Sequence, residues 1–192
     1  MAGRHKLFEE EEVLEKAMDV FWRKGYEATS TEDLLLAMEL NKGSLYNTFK
    51  SKKGLFDRVV DHFGDFLIQY LAKNIESFEN PIEGIKHVFR NICKDTPEDR
   101  QKGCFAGNSI SELSNVNLEM ERKVVTVLKS MERLFEKYLK KAQVEGYLRE
   151  GANTKLLAIH LVNLWNGLYV SLRVYDLKQL HEVIEINLSL LD

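Results

Sequence analysis

Along this chain, apolar positions recur three and four residues apart over long stretches, with polar and charged residues between them. That is the period of helices that each bury one face. The first stretch carries Val13, Leu14, Ala17, Met18 and Phe21. An acidic run at residues 9–12 opens it, where it complements the helix dipole, and Gly25 closes it. A short helix over residues 34–38 follows, with Ser30 as N-cap and Asp33 as its capping-box partner, and Glu39 and Leu40 make a turn. Asn41 caps the next helix. Its Leu45 and Phe49 share one face, while Lys42, Ser44, Tyr46, Asn47, Thr48 and Lys50 point elsewhere. Ser51 then caps a long helix carrying Phe56, Val59, Val60, Phe63, Leu67, Tyr70 and Leu71 and reaching toward Ile75. At 1.5 Å per residue it spans on the order of 35 Å.

Asn80 and Pro81 start a further helix with Ile85, Val88, Phe89 and Ile92 inward, running to about Lys94. Residues 96–103 read as a polar loop, and residues 103–113 as a small-residue helix start. Val124, Leu128, Met131, Phe135, Tyr138 and Ala142 alternate four and three like a heptad seam, which ends near Gly146. After Asn153 comes a helix over residues 156–172 that is apolar around nearly all its circumference. The last helix has Leu180, Ile184, Leu188 and Leu191 on one stripe and Val183, Ile186 and Leu190 on another. No alternating strand-like run stands out. The pattern predicts an all-α protein of about nine helices.

The first three helices form a small unit closed by Leu34, Leu45 and Phe49. Helix, tight turn, then a second helix polar and basic on its outer side is the helix-turn-helix arrangement, whose second helix enters the DNA major groove. Thr29, Ser30, Asp33, Leu34, Leu40, Lys42, Gly43, Leu45, Tyr46, Phe49, Ser51, Lys52 and Leu55 carry the pattern of one family. On these residues the segment resembles the DNA-binding domain of TetR-type transcriptional regulators. Asn41 stands where the family has Ser and keeps a cap. Glu39 stands where it mostly has a turn glycine, so a non-glycine residue must take an uncommon conformation.

The resemblance implies a helix-turn-helix domain over residues 6–66, with the recognition helix at about 42–49, and a helical ligand-binding and dimerisation domain over residues 67–192. It implies Lys42, Ser44, Asn47 and Thr48 at bases or nearby backbone, and Tyr46, Lys50 and Lys52 on phosphates. Thr29, Ser30, Thr31 and Gly43 belong to the same expected DNA-contacting set. It also implies a ligand-responsive regulator, a repressor that binds a palindromic double-stranded operator as a homodimer and is released by a small molecule.

Composition fits an ordinary soluble chain of 192 residues, 44% apolar and 30% charged. The net charge of −3 by itself argues against binding nucleic acid. Its distribution argues otherwise, because residues 40–58 hold five basic side chains against one acid. Arg4, His5 and Lys6 add a basic N-terminal arm. Lys52 and Lys53 crowd a helix N-terminus, which favours anions, so a phosphate there would suit both the lysines and the N–H groups. No apolar run is long enough to span a membrane and no signal peptide opens the chain, so the expected place is the cytoplasm.

Phe63, Phe66, Tyr70, Phe89, Cys104, Phe105, Asn108, Trp165, Asn166 and Tyr169 mix large rings with a few polar groups, which suits a small-molecule pocket and equally an ordinary core. Asn108, Asn163 and Asn166 are the better pointers, since a buried amide needs a partner. The last two helices expose too much apolar surface for one protomer to cover. They predict a twofold homodimer, with Leu157, Leu161, Leu164, Leu168, Leu180, Ile184 and Leu188 at its interface. The two cysteines, Cys93 and Cys104, read as thiols. Cys104 lies at a helix start that could lower its pKa, which leaves open a redox- or electrophile-sensing regulator using Cys104 or Cys93. It also leaves open, more remotely, a cysteine-nucleophile enzyme. His62, His87, His160 and His181 form no metal-ligand spacing, and no nucleophile motif, phosphate loop or dinucleotide fingerprint appears. No metal and no cofactor is expected, and the chain reads as a regulator rather than an enzyme.

Overall fold

The computed structural model describes residues 9–94, 96–114 and 116–192; the basic arm Arg4, His5 and Lys6 lies outside them. The described residues form ten α-helices and a terminal 3-10 turn. They are α1 (Glu10–Lys24), α2 (Thr31–Met38), α3 (Lys42–Phe49), α4 (Lys52–Glu76), α5 (Pro81–Ile92), α6 (Pro97–Lys102), α7 (Phe105–Leu113), α8 (Leu118–Val144), α9 (Thr154–Ser171) and α10 (Leu177–Leu188). The turn is Ser189–Leu191.

The polar loop expected at residues 96–103 is instead α6. It has no apolar face, so periodicity could not reveal it. Its signals are terminal: Thr96 caps it through the Asp99 N–H, Pro97 opens it, and Glu98 and Asp99 suit the positive end of the dipole. The helix from Asn80 also ends two residues earlier than expected, at Ile92.

Local chemistry sets the helix-turn-helix. Ser30 Oγ accepts the Asp33 N–H and the Asp33 carboxylate accepts the Ser30 N–H, both at 3.0 Å, which completes the capping box. Lys24 and Ser30 hold the Asp33 carboxyl down to about 2, so this box persists through mildly acidic pH. Asn41 Oδ1 accepts the Ser44 N–H at 2.9 Å and starts α3. Glu39, as expected, closes α2 in the left-handed region at φ 56°. Lys50 takes a rarer form at φ 68°, the centre of a γ-turn in which the Ser51 N–H donates to the Phe49 carbonyl at 2.8 Å.

That turn folds α3 tightly back onto α4, and it explains Gly54. A Cβ on Gly54 would lie 2.1 Å from the Phe49 carbonyl oxygen. No side chain fits between the end of the reading helix and the first turn of α4.

Helix α4 belongs to two bodies. Its first half packs on α1 and α3 through Leu55, Phe56 and Val59, and its second half packs on α5 and α8 through Leu67, Leu71 and Ile75. A Cβ on Gly84 would fall 2.5 Å from the Ile75 carbonyl oxygen, so α5 approaches α4 at glycine distance. Helix α8 is the axis of the larger body, touching α4, α5, α7 and α9. Helix α10 is tied to α5 by a two-pronged pair, Arg90 to Glu185 at 2.7 and 2.8 Å. Among the described residues no helix is long and apolar enough to cross a membrane.

Glycine inside a helix is normally worse than alanine, so Gly54→Ala should raise the melting temperature if the site were open. We expect the opposite. Overpacking against backbone costs about 1–3 kcal/mol, and thermal unfolding followed by circular dichroism should show a lower midpoint.

Candidate nucleic-acid interface and ligand cavity

With Leu45 and Phe49 buried and Asn41 and Gly54 fixing its two ends, α3 has no freedom to turn its other face inward. Lys42, Gly43, Tyr46, Asn47 and Lys50 are exposed, and Ser44 and Thr48 are half-buried beside them. Six polar side chains and a glycine thus share one solvent-facing surface at the tip of the molecule. Lys50 Nζ folds back on the Asn47 carbonyl at 2.7 Å, at the negative end of the α3 dipole. Ser30 and Thr31 sit at the start of α2, Ser30 exposed and Thr31 half-buried.

Thr29 is a correction. It is buried, and its hydroxyl donates to the Gly25 carbonyl at 2.5 Å, so it ties the α1–α2 connection together instead of facing outward.

The basic cluster is smaller than its sequence suggests. Lys53 pairs with Asp57 and Glu119, both at 3.0 Å, and Arg58 pairs with Glu10. Lys52 lies 4.3 Å over the Tyr26 ring. The two lysines that oppose the α4 dipole are therefore offset inside the protein, Lys53 by carboxylates and Lys52 by an aromatic face. Lys42, Lys50 and Lys52 remain for an external anion.

Behind this surface lies an aromatic seam. Phe21, Trp22 and Tyr26 from α1 and its following loop meet Phe56 and Phe63 of α4 and Phe105 of α7, with neighbouring ring centroids 5.1–6.1 Å apart. Polar links run alongside. Trp22 Nε1–H donates to the Gly103 carbonyl at 3.1 Å, and Lys102 pairs with Asp19 at 2.8 Å. The Glu112 carboxylate accepts the Tyr26 and Glu27 N–H groups at 2.9 and 2.8 Å. Gly25 leaves room for that carboxylate: at φ 81° its added Cβ would lie 2.8 Å from Glu112 Oε2. Sequence reasoning missed Glu112 and Trp22, because their partners lie some eighty residues away.

Above the seam is a cavity of about 400 Å³ lined by Met18, Trp22, Phe63, Phe66, Leu67, Tyr70, Val88, Ile92, Asp99, Gly103, Cys104, Trp165 and Tyr169. Six of the ten residues expected at a pocket meet here: Phe63, Phe66, Tyr70, Cys104, Trp165 and Tyr169. The other four stand elsewhere. Phe89 is buried behind, edge-on to Trp165 at 6.1 Å. Phe105 and Asn108 line a separate polar cleft with Glu112 and Arg173, and Asn108 donates to the Lys102 carbonyl at 2.7 Å. Asn166 faces Gly107 and Asn108 in a smaller hollow of about 220 Å³. Asn163 does not point to the pocket, since it is on the exposed face of α9.

Cys104 is the N-cap of α7, and its sulfur accepts the Gly107 N–H at 3.5 Å. The helix start that could have lowered its pKa is present. Burial outweighs it and pushes the thiol up, so Cys104 stays protonated and unreactive near neutral pH. That counts against a thiol sensor and equally against a cysteine nucleophile. Among the described residues no group of three His, Cys, Asp or Glu side chains could hold a metal.

The expected dimer residues separate into two sets. Leu161, Leu168, Leu180, Ile184 and Leu188 are buried within the protomer, against α8, α5 and each other's helices, and Leu157 and Leu164 are half-buried. The apolar side chains left outside are their neighbours: Leu156 and Val170 on α9, then Val183, Ile186 and Leu190. Ile184 is fully buried and Ile186 is 70% exposed, so the second stripe of the last helix is the open one.

Comparison with known proteins identifies the family of this fold. The model of bacterial regulatory proteins of the tetR family matches residues 13–59, and that of the tetracyclin repressor-like C-terminal domain matches residues 81–185. The chain is 32% identical to the HTH-type transcriptional repressor ComR of Escherichia coli, over 89% of this chain and 82% of ComR. It is 30% identical to the HTH-type transcriptional regulator YezE of Bacillus subtilis, over 99% of this chain and all of YezE. Among solved structures it is similar to the TetR family regulator CifR, captured as a cysteine mutant with 26-bp double-strand operator DNA. The match has a TM-score of 0.84 and 26% identity and covers 97% of this chain and 98% of that chain. The chain belongs to the TetR family of bacterial regulatory proteins and is a helix-turn-helix DNA-binding transcriptional regulator.

Proposed function

We propose that this protein is a dimeric repressor whose two α3 helices enter successive major grooves of a palindromic operator, and that a small molecule in the α1–α4–α5–α9 cavity releases it. The observation that carries the reading is the outward face of α3, held in place by burial of Leu45 and Phe49 and by a glycine-tight junction with α4. Lys42, Ser44, Asn47 and Thr48 read bases or adjacent backbone. Tyr46, Lys50 and Lys52 hold phosphates, and Lys52 also keeps the Tyr26 ring in place. Phosphate contacts position the protein and base contacts specify the sequence. The similarity to a regulator solved on operator DNA supports this reading.

Ligand response follows from which elements wall the cavity. Met18 and Trp22 belong to α1, so an occupant would press directly on the DNA-reading unit. Glu112 carries any shift of α7 to the α1–α2 connection, and α4 carries it to α3. A ligand that fits one arrangement of these elements better than the other shifts the population between them. We place the division between the two functional bodies within α4, near residue 66.

Dimerisation would use the open stripe of α10 with the exposed face of α9, meeting its copy about a twofold axis. That pairs Leu156, Val170, Val183, Ile186 and Leu190 across the axis, with the buried Leu161, Leu168, Leu180, Ile184 and Leu188 supporting them from beneath. Half-buried Leu157 and Leu164 complete the seam.

Three outcomes check this. On an operator selected from a random duplex library, fluorescence anisotropy should show Asn47→Ala flattening sequence preference by about 1–3 kcal/mol at one position. Lys52→Ala should instead weaken all sequences alike and lower the log–log salt slope by about one; unchanged preference in the Asn47 variant would sink the base-reading assignment. Ile186→Glu should give a folded monomer by light scattering and lose tight operator binding. Maleimide labelling of the native protein at neutral pH should leave Cys104 unmodified on a timescale that labels it fully in denaturant, whereas rapid native labelling would restore the thiol reading.

A further inference from the structure

We infer that the cavity takes an uncharged, largely apolar ligand that carries a hydrogen-bond acceptor, and that the indole N–H of Trp165 reads that acceptor. The inference rests on reading the cavity as the effector site and adds the chemistry it selects.

Charge comes first. Among the cavity's lining residues the one formally charged side chain is Asp99, an exposed residue at the rim whose carboxylate accepts the Thr96 hydroxyl at 2.6 Å. Among the described residues no lysine, arginine or histidine lines the space. The nearby cations, Arg23, Lys102 and Arg173, lie on the cleft at the far side of Trp22. There they pair with Asp19 and Glu98 or donate to the Gln101 and Lys102 carbonyls. A carboxylate or phosphate entering the cavity would lose its water and meet no positive partner, which costs far more than apolar contact returns. Anionic ligands are excluded.

The floor then distinguishes a neutral ligand from a cationic one. Trp165 is 5% exposed, it lines the cavity, and its Nε1–H finds only the Cys104 sulfur and no oxygen or nitrogen acceptor. The Cys104 sulfur beside it is a weak acceptor and is already approached by the Gly107 N–H. A buried N–H held only by a thiol is under-satisfied, and an oxygen acceptor would serve it better. Burial also keeps Cys104 as a protonated thiol, so the floor presents donors and no negative charge. A cation could use the ring faces and Asp99 at the rim, but it would leave the indole N–H without an oxygen acceptor. A carbonyl, ether or similar oxygen would satisfy the indole, while rings or alkyl groups of the ligand fill the space between Trp22, Phe63, Phe66 and Tyr169.

The chain's two tryptophans, Trp22 and Trp165, both line this cavity, so intrinsic fluorescence reports occupancy directly. The test is a matched set of probes on the full chain: 2-acetylnaphthalene, naphthalene, 2-naphthoate and (naphthalen-2-ylmethyl)trimethylammonium, titrated by fluorescence and calorimetry. The neutral ketone should bind one per protomer, several-fold more tightly than naphthalene and more tightly than the ammonium, with the anion weakest. Trp165→Phe keeps the ring and removes the donor; it should weaken the ketone roughly three- to tenfold and leave naphthalene unchanged. Tighter binding of the carboxylate or the ammonium, equal binding of ketone and naphthalene to the native chain, or no binding of any probe would overturn the inference. The native-chain comparison needs no variant, so a misfolded Trp165→Phe would not shield the idea. Operator anisotropy in the same samples separates the two readings. Selective ketone binding without loss of DNA affinity would uphold the ligand class and remove the release mechanism.

Discussion

The structure depends on the burial of an aromatic seam between the helix-turn-helix unit and the larger helical body. Phe21, Trp22 and Tyr26 come from the small unit, Phe56 and Phe63 from the shared helix, and Phe105 from the larger body. Rings of this size bury large apolar areas and prefer edge-on and offset contacts, so the seam is both a major source of cohesion and a geometric constraint. Neither body can rotate against the other without opening ring contacts and breaking the Glu112 and Trp22 hydrogen bonds. The small unit's orientation is therefore tied to α7 through Phe105 and Glu112.

Electrostatics around the reader follow the same logic of commitment. In a chain with net charge −3, α3 itself carries no acidic side chain, and the acids nearby pair with Lys53, Arg58, Lys16 and Lys24. Exposed pairs of this kind add little stability individually. Their consequence is positional: they decide which cations point outward. Lysines at the start of α4, unfavourable against its dipole, persist because one has found carboxylates and the other an aromatic face.

Cys104 shows two opposed effects at one atom. A helix N-terminus and a donated N–H favour the thiolate, and removal from water disfavours it. Burial dominates here, and the pKa moves up. The same burial leaves the neighbouring Trp165 N–H with only this sulfur, a weak acceptor, for company.

Much of this was legible from the chain. The apolar period gave the long helices, the caps at Ser30, Asn41 and Ser51 set the helix-turn-helix, and Glu39 declared its left-handed turn by standing in a position that demands one. These are local matters, decided by backbone chemistry within a few residues. Helix α6 was legible in principle through its caps, though hidden from a search by apolar periodicity. What the chain alone could not decide was which of two possible faces is covered. Leu180, Ile184 and Leu188 against Val183 and Ile186, or Phe89 and Asn166 against Met18 and Trp22, are equivalent as patterns. Only the packing of helices distant in sequence selects between them, because burial belongs to the whole assembly of helices. The family resemblance put Thr29 among the contact residues, and the helix start put Lys53 beside an expected phosphate; tertiary structure buried the first and paired the second.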